Sequence, residues 1–166
     1  IYILLMNEYK LINKWRFYIH LQNTSDWSIG SYHNIMDIRY MNDAISLYEY
    51  LGDEILKRAL LFVMKENIEP LWENESNKNG GSFSFKIHNK DMNRIWKIIY
   101  YKLLGETLCK DKNIMNKVTG ISNSPKKTFT IIKIWMTDCD NINSNIFNLG
   151  MIDLKTCMFK KHNPEY

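Results

Sequence analysis

The sequence lacks the short motifs that mark most common catalytic sites. It contains no Gly-rich phosphate loop, no HExxH zinc pair and no Gly-x-Ser-x-Gly nucleophile elbow. Asp138 and Asp140 resemble a carboxylate pair, but at the end of a predicted strand they fit a turn better. The histidines have no metal-ligand spacing; they are His20, His33, His88 and His162. The sequence therefore favours a binding protein over an enzyme, and it predicts no catalytic residue, metal or cofactor.

Cysteines and long apolar runs are also scarce. Cys109, Cys139 and Cys157 form an odd set, and free thiols indicate a reducing compartment such as the cytoplasm. The apolar residues 1–6 are too few to cross a bilayer, so no membrane association is expected. The formal net charge of +4 permits a phosphate-bearing ligand without requiring one.

Hydrophobic patterns predict one α+β domain across residues 1–166. Strands are predicted at residues 14–21, 32–40, 60–65, 82–87, 117–122 and 128–136, the last two joined by a turn at 123–125. Helices are predicted from Asn42 or Asp43 to Leu51, from Met92 to Leu103, and, on a weak pattern, over residues 141–156. Strand pairs separated by single helices indicate an antiparallel sheet with helices on one face.

A polar loop at residues 66–81 contains a large aromatic residue beside a carboxylate, Trp72 and Glu73. Pro70 and the Gly80-Gly81 pair argue against regular structure there. Loops lie at the surface, where burial stabilises a tryptophan little, so a rigidly held one suggests a ligand. This loop is the first candidate for a binding site.

The run IEPLWE followed by NKNGG resembles the signature of the cap-binding translation initiation factor 4E family. The resemblance continues in order over residues 9–153. Its other parts are Asn13-Lys14-Trp15, Ser25-Asp26-Trp27, Arg94 with Trp96, Leu104-Gly105-Glu106, and the run KIWMTDCDN at residues 133–141. It implies a curved antiparallel sheet with about three helices on the convex face and a cap pocket on the concave side.

The resemblance also implies how the 7-methylguanosine cap of mRNA is bound. Trp27 and Trp72 sandwich the methylated base, whose positive charge adds a cation–π attraction. Glu73 accepts hydrogen bonds from N1–H and N2–H of guanine, and Trp135 contacts the methyl group. Taken alone, Trp135 also fits a buried strand residue. Capped mRNA is the expected partner, recruited for translation initiation.

Two features depart from the family pattern. Of three basic positions around the phosphates, one matches Lys126, while the others fall on Ser82 and Ile131. Lys133 and Lys127 are partial substitutes, so weaker cap affinity with a smaller triphosphate contribution is expected. The tail at residues 158–166 is short and polar, which implies either a sheet one strand smaller or an incomplete sequence.

The dorsal surface, where a scaffold or repressor protein with a helical Tyr/Leu motif is expected, differs as well. Ile45 takes the place of the family's exposed Trp, and Ile98 takes that of an acidic residue. An apolar groove is still expected from Leu11, Met41, Ile45, Tyr101 and Gly105. Three alternatives therefore stay open: a translation factor, a repressor that binds the cap but not the scaffold, and a diverged relative with weakened or lost cap binding.

Overall fold

The computed structural model describes residues 9–150 and 152–164, and the apolar residues 1–6 lie outside that part. Seven strands of the described chain form one antiparallel sheet with the order β2-β1-β3-β5-β6-β4-β7. The strands are β1 (Lys10–His20), β2 (Tyr32–Tyr40), β3 (Leu60–Lys65), β4 (Gly81–His88), β5 (Val118–Pro125), β6 (Phe129–Met136) and β7 (Met158–Lys161). All six predicted strands are present, within a few residues at their ends.

The described chain has three helices, α1 (Met41–Arg58), α2 (Met92–Leu104) and α3 (Lys112–Asn116). Asp43 holds the start of α1, because its carboxylate accepts the backbone N–H groups of Arg39 and Tyr40. Gly52 has a φ of 60° and kinks α1, but the helix continues beyond the predicted end at Leu51. The short α3 was not predicted; Asp111 caps it by accepting the N–H of Asn113.

Alternating side chains give the curved sheet two different faces. The helix face, which includes Phe17, Val63 and Ile134, packs into the main core with α1 and α2. The open face carries a smaller aromatic cluster that is not covered by these helices. That cluster contains Tyr18, Tyr32, Phe62, Met64 and Trp135, with Trp72 packed against it.

The predicted helix over residues 141–156 is wrong. The described part of this segment contains only two single 3₁₀ turns, Ser144–Ile146 and Leu154–Thr156. Asn143 and Asp153 each accept a backbone N–H two residues ahead, and such local bonds compete with an α-helix. The predicted turn at residues 123–125 is also displaced, because β5 continues to Pro125 and the chain reverses after it.

The polar tail forms the edge strand β7, which pairs with the start of β4. Phe159 supplies the apolar contact, since its ring lies 4.8 Å from that of Phe83. The described tail thus contains one short strand, and the alternatives of a sheet one strand smaller than the family's or an incomplete sequence both stay open. One aromatic contact and backbone pairing thus accompany a strand in which two of the four residues are lysine.

Candidate functional site

A cleft of about 680 Å³ lies on the open face of the sheet. Its walls come from the loop after β1, the loop between β3 and β4, and strands β3, β5 and β6. The lining residues are Trp27, Ser28, Tyr32, Leu60, Phe62, Pro70, Leu71, Trp72, Glu73, Ser122, Asn123, Ser124, Lys133 and Trp135. Four of the five residues predicted for the site, Trp27, Trp72, Glu73 and Trp135, are thus brought to one cavity.

Trp27 stands on one wall of the cleft, in the loop after β1. Its indole stacks on the buried ring of His20, with centroids 4.3 Å apart and planes 5° from parallel. His20 Nε2 lies 2.8 Å from the carbonyl oxygen of Asp26, the residue before Trp27. Trp27 nevertheless remains 54 % exposed, so a large part of its surface is open to a ligand.

The loop that carries Trp72 and Glu73 is fixed from inside by Asn77. This buried amide donates to the carbonyl oxygens of Glu69 (3.1 Å) and Leu71 (2.9 Å), so it closes the loop around itself. Gly80 then brings the loop against β6, where a Cβ atom would overlap the carbonyl oxygen of Met136. A segment without helix or strand is therefore held in one conformation.

Trp72 is half-buried on the opposite wall. Its ring stacks on His162, with centroids 5.6 Å apart and planes 14° from parallel. Lys133 Nζ lies 5.8 Å from the centroid of the same ring, so this indole already attracts a cation. Sequence reasoning missed His162, which lies 85 positions after Asn77, the residue whose carbonyl oxygen its Nδ1 approaches at 2.8 Å.

Glu73 is exposed at the cleft, and its negative charge affects the pKa of Tyr32, another lining residue. Burial raises the pKa of Tyr32 to about 12, and the negative charge of Glu73 contributes to that rise. Tyr32 also packs against His20, at 4.8 Å between ring centroids. The carboxylate is therefore electrostatically coupled to the wall that carries Trp27.

Trp135 is both a core residue and part of the cleft floor. It is only 4 % exposed, and its Nε1–H donates to Ser122 Oγ at 2.9 Å. The ring meets Phe62 edge-on and lies 5.0 Å from His162. The two sequence interpretations of this residue are thus compatible, because a buried ring can present one edge to a ligand.

The basic groups differ from the expectation. Lys133 lines the cleft, whereas Lys126 is not among the lining residues. Burial lowers the pKa of the Lys133 ammonium, and the positive charges of Lys160 and Lys126 lower it further, so these three lysines lie near each other. Lys160 pairs with Ser82, next to Trp135, and so lies on the open face. Positive charge is therefore present, supplied from other positions than Ser82 and Ile131.

The carboxylates of Asp138 and Asp140 have a structural role. Both contact Lys117, with Nζ–O distances of 2.9 and 2.6 Å, and together they close a turn at the end of β6. Among residues 9–150 and 152–164, no three side chains of His, Cys, Asp or Glu converge to hold a metal ion.

The residues predicted for the dorsal groove lie on the helix side of the sheet, away from the cleft. Met41, Ile45 and Tyr101 are partly buried, and Gly105 is exposed at the end of α2. Leu11 is only 8 % exposed and belongs to the main core, so it offers little surface to a partner. Because the other four residues are at least partly exposed, the apolar groove stays a prediction.

The open face of the curved α+β sheet thus carries an aromatic cleft whose lining includes Trp27, Trp72, Trp135 and the carboxylate of Glu73. The family model of eukaryotic initiation factor 4E matches residues 10–163, and the chain belongs to this family.

Individual relatives are more distant. The eukaryotic translation initiation factor 4E homolog of Acanthamoeba polyphaga mimivirus is 26 % identical over 136 residues, covering 69 % of this chain and 50 % of the viral protein. Human eukaryotic translation initiation factor 4E is 24 % identical over 140 residues, covering 81 % and 63 %. The chain thus spans between half and two thirds of the length of these curated relatives.

A solved structure of schistosome eIF4E, complexed with m7GpppG and 4E-BP, has a similar fold. Its TM-score to this chain is 0.72 at 20 % identity, and the match covers 80 % of this chain and 74 % of the schistosome chain.

Proposed function

We propose that this chain binds the 7-methylguanosine cap of mRNA and recruits capped messages for translation initiation. The observation that carries the proposal is the meeting of Trp27, Trp72 and Glu73 in one cleft. The family membership and the m7GpppG in the schistosome structure support it.

The chemistry of the cleft fits a methylated guanine. Methylation at N7 makes the ring cationic, and each indole face attracts such a ring by about 0.5–2 kcal/mol, more when water is excluded. We infer that Trp27 and Trp72 stack on the two faces of the base. Glu73 accepts from N1–H and N2–H, a charge-assisted pair that adenine cannot offer. Trp135, on the floor, is placed by this proposal beside the N7-methyl group.

We assign the phosphate chain to two basic groups, where the family pattern has three. These groups are Lys133, which lines the cleft, and the nearby Lys126. The affinity gained from each added phosphate is expected to be small. Titration with the mono-, di- and triphosphate of 7-methylguanosine measures that gain directly, and a large gain per phosphate contradicts the assignment.

The partner is proposed to be a scaffold or repressor protein that docks on the dorsal side, as 4E-BP accompanies the schistosome protein. Ile45 and Ile98 favour the second candidate function, a repressor that holds the cap without the usual scaffold. A pull-down with a scaffold-derived Tyr/Leu helical peptide distinguishes the two candidate functions of this chain. A translation factor is expected to retain the peptide, and a repressor that binds the cap without the scaffold is not. No helix of the described residues is long and apolar enough to cross a membrane, and a cytoplasmic location is proposed from the family role.

Retention on 7-methylguanosine resin tests the central proposal. The protein is expected to bind the resin, to elute with free methylated cap analogue but not with GTP, and to lose tryptophan fluorescence on binding. Trp27→Ala is the matched control, since this exposed side chain can be removed with little effect on the core. If the folded protein does not bind the resin, the proposal is wrong, and the alternative of a diverged relative that has lost cap binding is favoured.

A further inference from the structure

The two cleft tryptophans are backed in the same way. His20 stacks on Trp27 and His162 stacks on Trp72, and both imidazoles are almost completely buried. Each imidazole also reaches a backbone carbonyl of the loop that carries its tryptophan: Asp26 for His20, and Asn77 for His162, both at 2.8 Å. A ring and a hydrogen bond therefore hold each indole from behind.

The hydrogen bonds determine which nitrogen of each imidazole carries the proton. A carbonyl oxygen only accepts, so Nε2 of His20 and Nδ1 of His162 must be the donors. The remaining nitrogens, Nδ1 of His20 and Nε2 of His162, are buried and have no hydrogen-bond partner within the described residues. Protonating Nε2 of His162 would create a buried N–H group without an acceptor.

We propose that His20 and His162 are positioning residues, each covering one face of its tryptophan so that the opposite face is presented to a flat, cationic base. This inference rests on the proposed function, because it assigns the source of the clamp's rigidity. An indole fixed before binding loses little conformational entropy when the ligand arrives, and affinity increases accordingly.

The surroundings of His162 make this arrangement sensitive to acid. The ring is packed between Trp72 and Trp135, and the charged groups facing it are Lys133 from β6 and Glu73 from the loop. Burial lowers the pKa of His162 and Lys133 lowers it further, although the bond to Asn77 and the charge of Glu73 act in the opposite direction. A protonated His162 would repel a cationic base on the adjacent indole.

The test compares ring-removing and ring-keeping variants. His20→Ala and His162→Ala remove the backing ring, whereas His162→Phe keeps a flat ring that cannot titrate. His33→Ala and His88→Ala, both at exposed strand positions, are the controls. Affinity for 7-methylguanosine triphosphate is measured by fluorescence quenching at pH 7.5 and 5.5, with circular dichroism to verify the fold.

Each alanine variant is expected to bind about tenfold more weakly at pH 7.5, as loss of a stacked pair and its loop contact predicts. His162→Phe keeps the stacked ring but loses the bond to the Asn77 carbonyl. It is expected to bind more tightly than His162→Ala, within about threefold of the unmodified protein, and to lose less affinity between pH 7.5 and 5.5. If His162→Ala does not fold, the comparison of the pH profiles decides alone.

Normal binding by folded His20→Ala and His162→Ala overturns the proposal, and so does an identical acid response in His162→Phe. If the unmodified protein does not bind the methylated cap analogue, the proposed function is contradicted, whatever the histidine variants do. The two failures are therefore distinguishable.

Discussion

Asn77 holds the Trp72 loop together from inside. Replacing it with alanine removes two donated hydrogen bonds, to the carbonyl oxygens of Glu69 and Leu71. Each contributes about 1 kcal/mol net, because these bonds are only partly buried and water can replace them in part. In Asn77→Ala the ordered conformation of the loop is thus less stable by about 2 kcal/mol before ligand binds.

If that order must be restored on binding, affinity for 7-methylguanosine triphosphate falls by about 30-fold. The melting temperature falls by at most about 4–8 °C, and by less if the loop loosens while the sheet stays intact. Fluorescence titration measures the first quantity and thermal denaturation the second. Asn79→Ala, in the same loop but exposed, is the control and is expected to bind normally. Normal affinity in Asn77→Ala, or equal loss in Asn79→Ala, refutes the reasoning.

Three further predictions concern the cleft and its supports. Glu73→Gln is expected to lower affinity for the methylated base by about 10- to 100-fold through loss of charge-assisted bonds, with unchanged melting temperature. Gly80→Ala is expected to cost about 3 kcal/mol in a denaturant titration, since its Cβ would meet the Met136 carbonyl. Burial lowers the pKa of His162, so just below pH ~6.5 the unfolded chain protonates this imidazole while the folded chain does not. The free energy of unfolding therefore decreases as the pH is lowered through this range. His162→Phe should show a smaller fall, and equal slopes would contradict the cause.

Strong local patterns made most of the fold predictable. The two-residue alternation at 82–87 and the helical spacing from Met92 to Leu103 each bury one face, and the structure retains both. The segment at 141–156 failed because its asparagine and aspartate side chains bond locally. Strand β7 was missed because its pairing with β4 is long-range and its own sequence is mainly lysine and apolar residues without alternation.

The candidate site was predictable only where a motif lies in one short stretch. Trp72 and Glu73 stand side by side, and the resemblance added Trp27 and Trp135. Lys133 was weighed only as a substitute, whereas it lines the cleft and Lys126 does not. His20 and His162 carry no local signal, because their partners are defined by packing: His162 meets a loop 85 positions away. Such contacts exist only in the folded chain.

The position of His162 directly after β7 links the cleft to the edge of the sheet. Strand β7 has four residues and, among the described strands, pairs only with β4, and short edge strands open more readily than central ones. Whenever β7 detaches, Trp72 loses its backing ring, so local opening at the edge and loss of ligand become one cooperative event. Ligand should therefore slow hydrogen exchange at the amides of β7. Slow and unchanged exchange there would indicate that the two are independent.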